Sequence, residues 1–355
     1  MVAGAVVALA AVPFAAVPWN VAQSDGSGAV EHRSVFRFAD ERIDESSGLV
    51  AGEELMFTAN DSGDDPVVYA VSPRTGETVG ELTYSSEEVT DVEALAPGAA
   101  ALWVGDIGDN GRRRLFVEVF RVEVPGDVGA GASAPRDAFT APFRLAYPDG
   151  PHDAETLLVH PRTGRLYVVT KGLFGGTVYA APRTLDPSAV NPLVEVGEVS
   201  GLLTDGAFFP DGRHVILRGY GDATVYTFPG LEEVAGFPLP DQEQGEAVAV
   251  DQYWHVFIST EGSNTEVLEV LLPRGLRAAL AAAPASGVSE STPTASPAPT
   301  PAAAAPAGTA DDPARPHGWR GADGIVAWIG AAVLVGAFVL RLYLRASRRR
   351  SRRRR

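Results

Sequence analysis

Across 355 residues the chain carries 45 acidic against 29 basic side chains and a formal net charge of −16. Nine of the basic residues lie from Arg341 onward with no acid among them, which leaves 20 basic against 45 acidic, or −25, in the rest. That acidity excludes nucleic acid as the partner of the main domain, and the absence of cysteine excludes disulfides, thiolate metal sites and cysteine nucleophiles.

Met1 to Val21 is almost wholly apolar, broken by Pro13 and Pro18, and runs into polar Gln23-Ser-Asp-Gly. Residues 1–23 are expected to be a secretory signal peptide or an N-terminal anchor, although no Lys or Arg precedes the apolar core. From about His32 to Pro273 no amphipathic helix stands out. Short runs rich in Val, Leu, Phe and Tyr are punctuated by Gly, Pro and Asp, the pattern of strands and hairpins. Turn signals repeat as well: Ser72-Pro-Arg-Thr-Gly76, His160-Pro-Arg-Thr-Gly164 and Phe209-Pro-Asp-Gly-Arg213 each join two strand-like runs. Leu166-Tyr-Val-Val and Val215-Ile-Leu are apolar on both faces, as strands covered on both sides are.

One unit recurs through this stretch. Asp91-Val-Glu-Ala-Leu95 opens a strand that a turn connects to a second one ending in Gly105-Asp-Ile-Gly-Asp-Asn110. Variants start at Glu45-Ser-Ser-Gly-Leu49, Asp153-Ala-Glu155-Thr-Leu157, Thr204-Asp205-Gly-Ala-Phe208 and Gln244-Gly-Glu246-Ala-Val248. A supersecondary unit repeated at about 40 to 60 residues marks a β-propeller. The expected fold is therefore all-β, a single propeller over 32–275. Five blades have inner strands beginning near Gly48, Glu93, Glu155, Gly206 and Glu246; a sixth stays open if 124–150 conceals one. Third strands are expected at 67–71, 115–124, 177–181, 224–228 and 265–272, and outer strands at 78–84, 139–147 and 193–200. The last blade lacks an outer strand, which Ser34-Val-Phe-Arg-Phe38 is placed to supply, closing the ring and removing exposed sheet edges.

After the propeller the composition changes. Ala, Pro, Ser and Thr dominate 278–320, as in Ser291-Thr-Pro-Thr-Ala-Ser-Pro-Ala-Pro-Thr-Pro301, and such a segment is expected to be a disordered stalk. In extended form some 40 residues reach about 120 Å. Gly324 to Leu344 is apolar except for Arg341 and, at about 31 Å as a helix, is long enough to span a bilayer. The tail 345–355, rich in arginine, is then expected in the cytoplasm and the propeller outside the cell, a single-pass membrane protein. No Leu-Pro-x-Thr-Gly sorting signal precedes the span.

Asn60-Asp-Ser-Gly63, Asp91-Val-Glu-Ala-Leu95, Gly105-Asp-Ile-Gly-Asp-Asn110, His152-Asp-Ala-Glu-Thr-Leu157, Tyr167-Val-Val-Thr-Lys171 and Gln244-Gly-Glu-Ala-Val248 carry a resemblance. Over roughly 34–272 the chain resembles the secreted or membrane-anchored, WD-repeat-like β-propeller proteins of actinobacteria. More distantly it looks like phytase-type and gluconolactonase-type propellers. That likeness implies acidic side chains near the central channel that bind calcium. Their catalytic motifs find no position-by-position match here, so no catalytic residue is carried over.

The inner strands of a propeller line its channel, so the repeated openings direct Asp91, Glu93, Asp153, Glu155, Asp205 and Glu246 towards one axis. Ends of second strands add Asn60, Asp61, Asp106, Asp109, Asn110, Lys171, Arg218 and Glu261 around the same mouth. Like charges this close raise one another's pKa unless a cation intervenes. Hard oxygen donors favour Ca²⁺ or Mg²⁺ over zinc, with Glu93, Glu155 and Glu246 as candidate ligands. The competing reading makes the Asp and Asn residues turn formers and pairs the glutamates with Arg218 and Lys171. Lys171 is the only lysine among 28 arginines, either a counter-ion to the funnel acids or a contact to an anionic ligand. Among the histidines only His152, beside Asp153 and Glu155, is placed for chemistry, and Trp103 reads as inter-blade core. No Gly-x-Ser-x-Gly elbow, phosphate loop, His-Glu-x-x-His or EF-hand spacing occurs.

Three functions compete. The first is a membrane-tethered extracellular propeller that binds a ligand, a protein partner or a divalent cation at its acidic funnel. The second is a Ca²⁺-dependent hydrolase, phytase-like or lactonase-like, in which metal ions reverse the field that would repel phosphate. The third is a structural module whose acids are turn chemistry.

Overall fold

A computed structural model describes residues 30–282 apart from 62–64, 86, 88 and 130–134. The chain starts with an isolated strand, β1 (His32–Arg37), then makes blade 1 from β2 (Ser46–Ala51), β3 (Met56–Asn60), β4 (Val67–Val71) and β5 (Thr78–Thr83). Blade 2 starts with β6 (Val92–Gly98), β7 (Ala101–Asp106) and β8 (Val117–Glu123). A short β9 (Arg136–Asp137) precedes its outer strand β10 (Phe143–Ala146). Blade 3 has β11 (Ala154–Val159), β12 (Leu166–Thr170) and β13 (Gly175–Ala180), then a short β14 (Val190–Pro192) before outer strand β15 (Val194–Ser200). Blade 4 is β16 (Leu203–Phe208), β17 (His214–Gly219), β18 (Asp222–Thr227) and β19 (Glu233–Pro238). Blade 5 is β20 (Gly245–Val250), β21 (Val256–Thr260) and β22 (Glu266–Val270), followed by a helix α1 (Arg274–Ala282).

Five sheets result, and the inner strands β2, β6, β11, β16 and β20 neighbour one another in a closed ring. The molecule is a five-bladed propeller. Strand β1 pairs antiparallel with β22, from His32 opposite Val270 to Arg37 opposite Glu266, so the first strand completes the last blade. Among the described residues, 124–150 holds no sixth blade. Its strand β9 runs parallel to β5 on the outer edge of blade 1, and β14 likewise runs parallel to β10 on blade 2. Each of these edges is thus partly covered by a segment borrowed from the following blade, which shortens the template for edge-to-edge pairing there.

The apolar strands are sandwiched because each core lies between two blades. Leu158, Tyr167, Val169 and Val178 of blade 3 pack on Leu203, Val215, Leu217 and Tyr226 of blade 4. Between blades 4 and 5 the core continues into α1 through Leu276 and Leu280, with Val30 beside them. Burial of such a side chain stabilises by about 1.5–3 kcal/mol. The helix runs through 278–282, the first residues of the segment expected as a stalk. The expected signal peptide or anchor, the rest of the stalk, the span at 324–344 and the arginine tail lie outside the described residues. Among the described residues no helix is long and apolar enough to cross a membrane.

A shared irregularity positions the site. In every blade the inner strand has one more residue than its partner strand just inside its first pair. The extra residue is Ser47, Glu93, Glu155 or Thr204 in blades 1 to 4, and falls within Glu246-Ala247 in blade 5. A bulge leaves its residue outside the ladder and re-aims its side chain.

Candidate functional site

The bulged positions form a ring at the start of the inner strands, and glutamate occupies three of the five. Glu93, Glu155 and Glu246 are all buried. Lys171, one residue beyond β12, donates from Nζ to Glu155 Oε1 at 2.5 Å, and its backbone N–H bonds Asp153 O at 2.9 Å. Its ammonium also lies 3.4 Å from the Tyr220 hydroxyl and 5.6 Å from that ring's centre. Glu246 accepts from the Gln244 amide at 3.2 Å.

The electrostatics tie these groups together. Burial, then Glu155, Asp61 and Asp91, hold Glu93 well above the usual carboxylate range. Burial pushes Glu155 up to about 7 against the pull of Lys171. Burial followed by Glu155 and Glu261 pushes Glu246 up to about 8. Burial opposes the charge on Lys171, but Glu155, Tyr220 and Glu246 outweigh it and hold the amine protonated. Of the two roles open to this lysine, the geometry supplies the counter-ion.

A second group lies on blades 1 and 2. One carboxylate oxygen from each of Asp61, Asp91 and Glu93 lies within 4.8 Å of the others. Gly108, from the Gly105–Asn110 loop, lies against this group. A Cβ there would fall 2.5 Å from Asp91 Oδ2 and 2.8 Å from Glu93 Oε1, so a side chain at this position would push both carboxylates aside. Its N–H donates to Asp91 O at 3.1 Å. The metal-ligand geometry thus gathers Glu93 with Asp61 and Asp91, whereas Glu155 is held by Lys171 and Glu246 by Gln244.

Other candidates serve the scaffold. Asp205 lies one residue past the bulge, opposite Arg218 in the ladder, and turns away from the ring to accept from Val248 N at 2.8 Å. Arg218 is fully buried and donates to Ala247 O, Ser259 O and Gly219 O at 2.9, 3.1 and 3.1 Å. Burial pushes its guanidinium down to about 10. Asp106 accepts from the backbone of Thr90 and Asp91, both at 2.9 Å, and pairs with Arg114 at 2.6 Å. Asp153 accepts from Asp109 N at 2.8 Å, and burial raises its pKa. Asn60 donates to Arg42 O at 2.6 Å. The Glu261 N–H donates to Gln244 O at 3.0 Å. His152 stands 2.9 Å from Asp149 rather than on Glu155, and Trp103 packs against the core between blades 2 and 3. Of the glutamate pairings expected in the competing reading, Lys171 with Glu155 is present, whereas Arg218 donates to backbone carbonyls and Gln242 instead of to a glutamate.

Sequence reasoning missed Tyr220 and the grouping of Asp61 with Asp91 across two blades. Asp61 was legible as a strand-end acid; its partner required the ring to be closed.

No family model matches the chain, and no curated protein matches it. Among solved structures it is similar to a gluconolactonase from Xanthomonas campestris, at 16% identity over 63% of this chain and 70% of that one, TM-score 0.39. It is also similar to the PQQ-bound aldose sugar dehydrogenase of Streptomyces coelicolor, at 12% identity over 67% and 97%, TM-score 0.39. A glucose dehydrogenase matches at 10% identity over 68% and 99%, TM-score 0.43. These likenesses stop at the β-propeller fold, which the strand pairing of this chain establishes on its own.

Proposed function

We propose that the channel mouth binds a divalent cation on Asp61, Asp91 and Glu93, and that this cation presents a ligand or partner to a membrane-tethered extracellular propeller. The carrying observation is the mutual spacing of the three carboxylates, within 4.8 Å. Two ligands on opposite sides of one Ca²⁺ at about 2.4 Å are separated by at most about 4.8 Å, so this spacing suits a single ion with coordination positions to spare. A dication also relieves the repulsion that Asp61 and Asp91 impose on Glu93. The apolar run at 324–344 and the arginine tail support the tether. Strand β22 runs away from the mouth, so the last described strand ends on the face opposite it.

Calcium and magnesium titrations by calorimetry test the reading. Wild type is expected to bind with a rise in melting temperature, by mass action on the folded state, and Glu93→Gln or Asp91→Asn to abolish both. Heat no greater than the buffer blank in wild type would sink it. Protease applied to intact cells tests the topology: the propeller is released and the arginine tail stays protected.

One observation favours a Ca²⁺-dependent hydrolase as second reading. Glu155, near 7 and within electrostatic reach of Glu93 and Asp61, is poised to exchange protons beside the candidate ion. Turnover of aryl phosphoester or lactone probes that needs Ca²⁺ and is lost in Glu155→Gln supports it; no turnover with either probe removes it.

A further inference from the structure

On the face opposite the mouth a cleft of about 650 Å³ opens between α1, the end of β22 and two hairpin turns, one joining β16 to β17 and the other β20 to β21. Its apolar lining includes Tyr253, Trp254, Leu271, Leu272 and Leu280. The volume is within the range of small-molecule sites.

Trp254 is the unusual residue. It holds φ +73°, a left-handed backbone in which a side chain is penalised. In the matching turns of blades 3 and 4 that conformation belongs to Gly164 (φ +68°) and Gly212 (φ +62°). Blade 5 places an indole where its neighbours place nothing. The ring stands against Phe209, centroids 5.3 Å apart, and forms part of the cleft wall.

Charge decides what the cleft accepts. Both of its carboxylates already have a guanidinium beside them: Asp211 lies 3.7 Å from Arg213, with His214 Nδ1 at 2.7 Å as well, and Glu269 lies 2.5 Å from Arg33. His255 is held 2.8 Å from Asp251. Arg277, on α1, lines the same cleft and has no ion pair among the described residues. An apolar slot whose acids are neutralised and whose helix contributes a cation suits an anion with a hydrophobic body.

We propose that this cleft binds a small amphipathic carboxylate, its head on Arg277 and its aliphatic or aromatic body along Trp254, Tyr253 and Leu280. The site is separate from the mouth and independent of any cation there.

The test uses the full-length protein in lipid nanodiscs, with empty nanodiscs as the calorimetric blank. The probes are 4-phenylbutyrate and, as a charge control, 4-phenylbutylamine. Saturable binding of the carboxylate and none of the amine is expected. Arg277→Gln is expected to weaken binding about tenfold, the loss of roughly one charge-assisted pair. Trp254→Gly suits the turn's backbone, its melt reports the packing lost against Phe209, and it is expected to weaken binding severalfold by removing the wall. The proposal is overturned by any of three results: no saturable heat with 4-phenylbutyrate to about 10 mM, equal binding of the amine, or unchanged binding in Arg277→Gln with a wild-type melt.

Discussion

Blades 3 and 4 both begin with an acid-opened strand, yet their acids do opposite things. In blade 3 the acid falls on the bulge, and Glu155 joins the ring around Lys171. In blade 4 the bulge falls on Thr204, and Asp205, one residue later, spends its carboxylate on Val248 N. Thr204 itself donates to Glu246 O at 2.9 Å. A single step of register separates a side chain that joins the ring around Lys171 from one that holds the next blade in place. Position relative to the bulge, and not the presence of an acid, decides which inner-strand acids join that ring.

The largest expected effect lies on the structural side of that comparison. Arg218→Ala leaves the carbonyls of Ala247 and Ser259 without their buried donor and is expected to cost about 3–5 kcal/mol, the penalty for stripping a buried charged network. A denaturant midpoint measures it; a loss under about 1 kcal/mol would mean that the inner edge of blade 5 is satisfied some other way. Asp205→Ala removes a single buried acceptor and is expected to cost about 1–3 kcal/mol, with Asp205→Asn closer to wild type because it keeps an acceptor without the buried charge.

The mouth side responds to pH instead. Glu155 and Glu246 have folded pKa values of about 7 and about 8, above their ordinary value of 4.5, so the folded state holds more protons than the unfolded one between about 4.5 and 8. Their ionisation costs nothing below about pH 4.5 and is fully felt above about 8, so these groups lower the melting temperature as pH rises through that window. Glu246→Gln is expected to flatten the slope. A slope equal to wild type in that variant would place the titrating group elsewhere.

The smallest change in stability should carry a large change in binding. Gly108→Ala pushes a methyl against Asp91 and Glu93 and is expected to reduce cation affinity at least tenfold while costing about 1 kcal/mol or less of stability. Unchanged affinity would separate Gly108 from the candidate ion site.

Much of the fold was legible from residues alone. The acid-opened repeat located all five inner strands, and Ser34 to Phe38 was assigned to the closing strand, matching β1 on β22. Strand β19 was missed because Glu233-Val-Ala-Gly-Phe-Pro238 is half exposed and carries Gly and Pro, which dilute an outer strand's signal. Strands β9 and β14 are two and three residues long and gain their pairing from a neighbouring blade, which local patterning does not reveal. The convergence of Glu93, Glu155 and Glu246 was readable from their equivalent positions in the repeat. The separate fate of Asp205 was not, because a bulge is defined by the partner strand and leaves no mark in the strand that carries it.

The pairing of β1 with β22 also sets a clock on synthesis. Arg33 and its partner Glu269 are 236 positions apart. At about 5–20 residues per second, the first strand waits roughly ten to fifty seconds for the strand it completes. During that interval blade 1 has no neighbour on one side, and the buried faces of Phe38, Leu49 and Ala247 share a core that is only half made. A nascent chain stalled before residue 266 therefore exposes apolar surface at both ends of an open arc, the substrate that chaperones and proteases recognise.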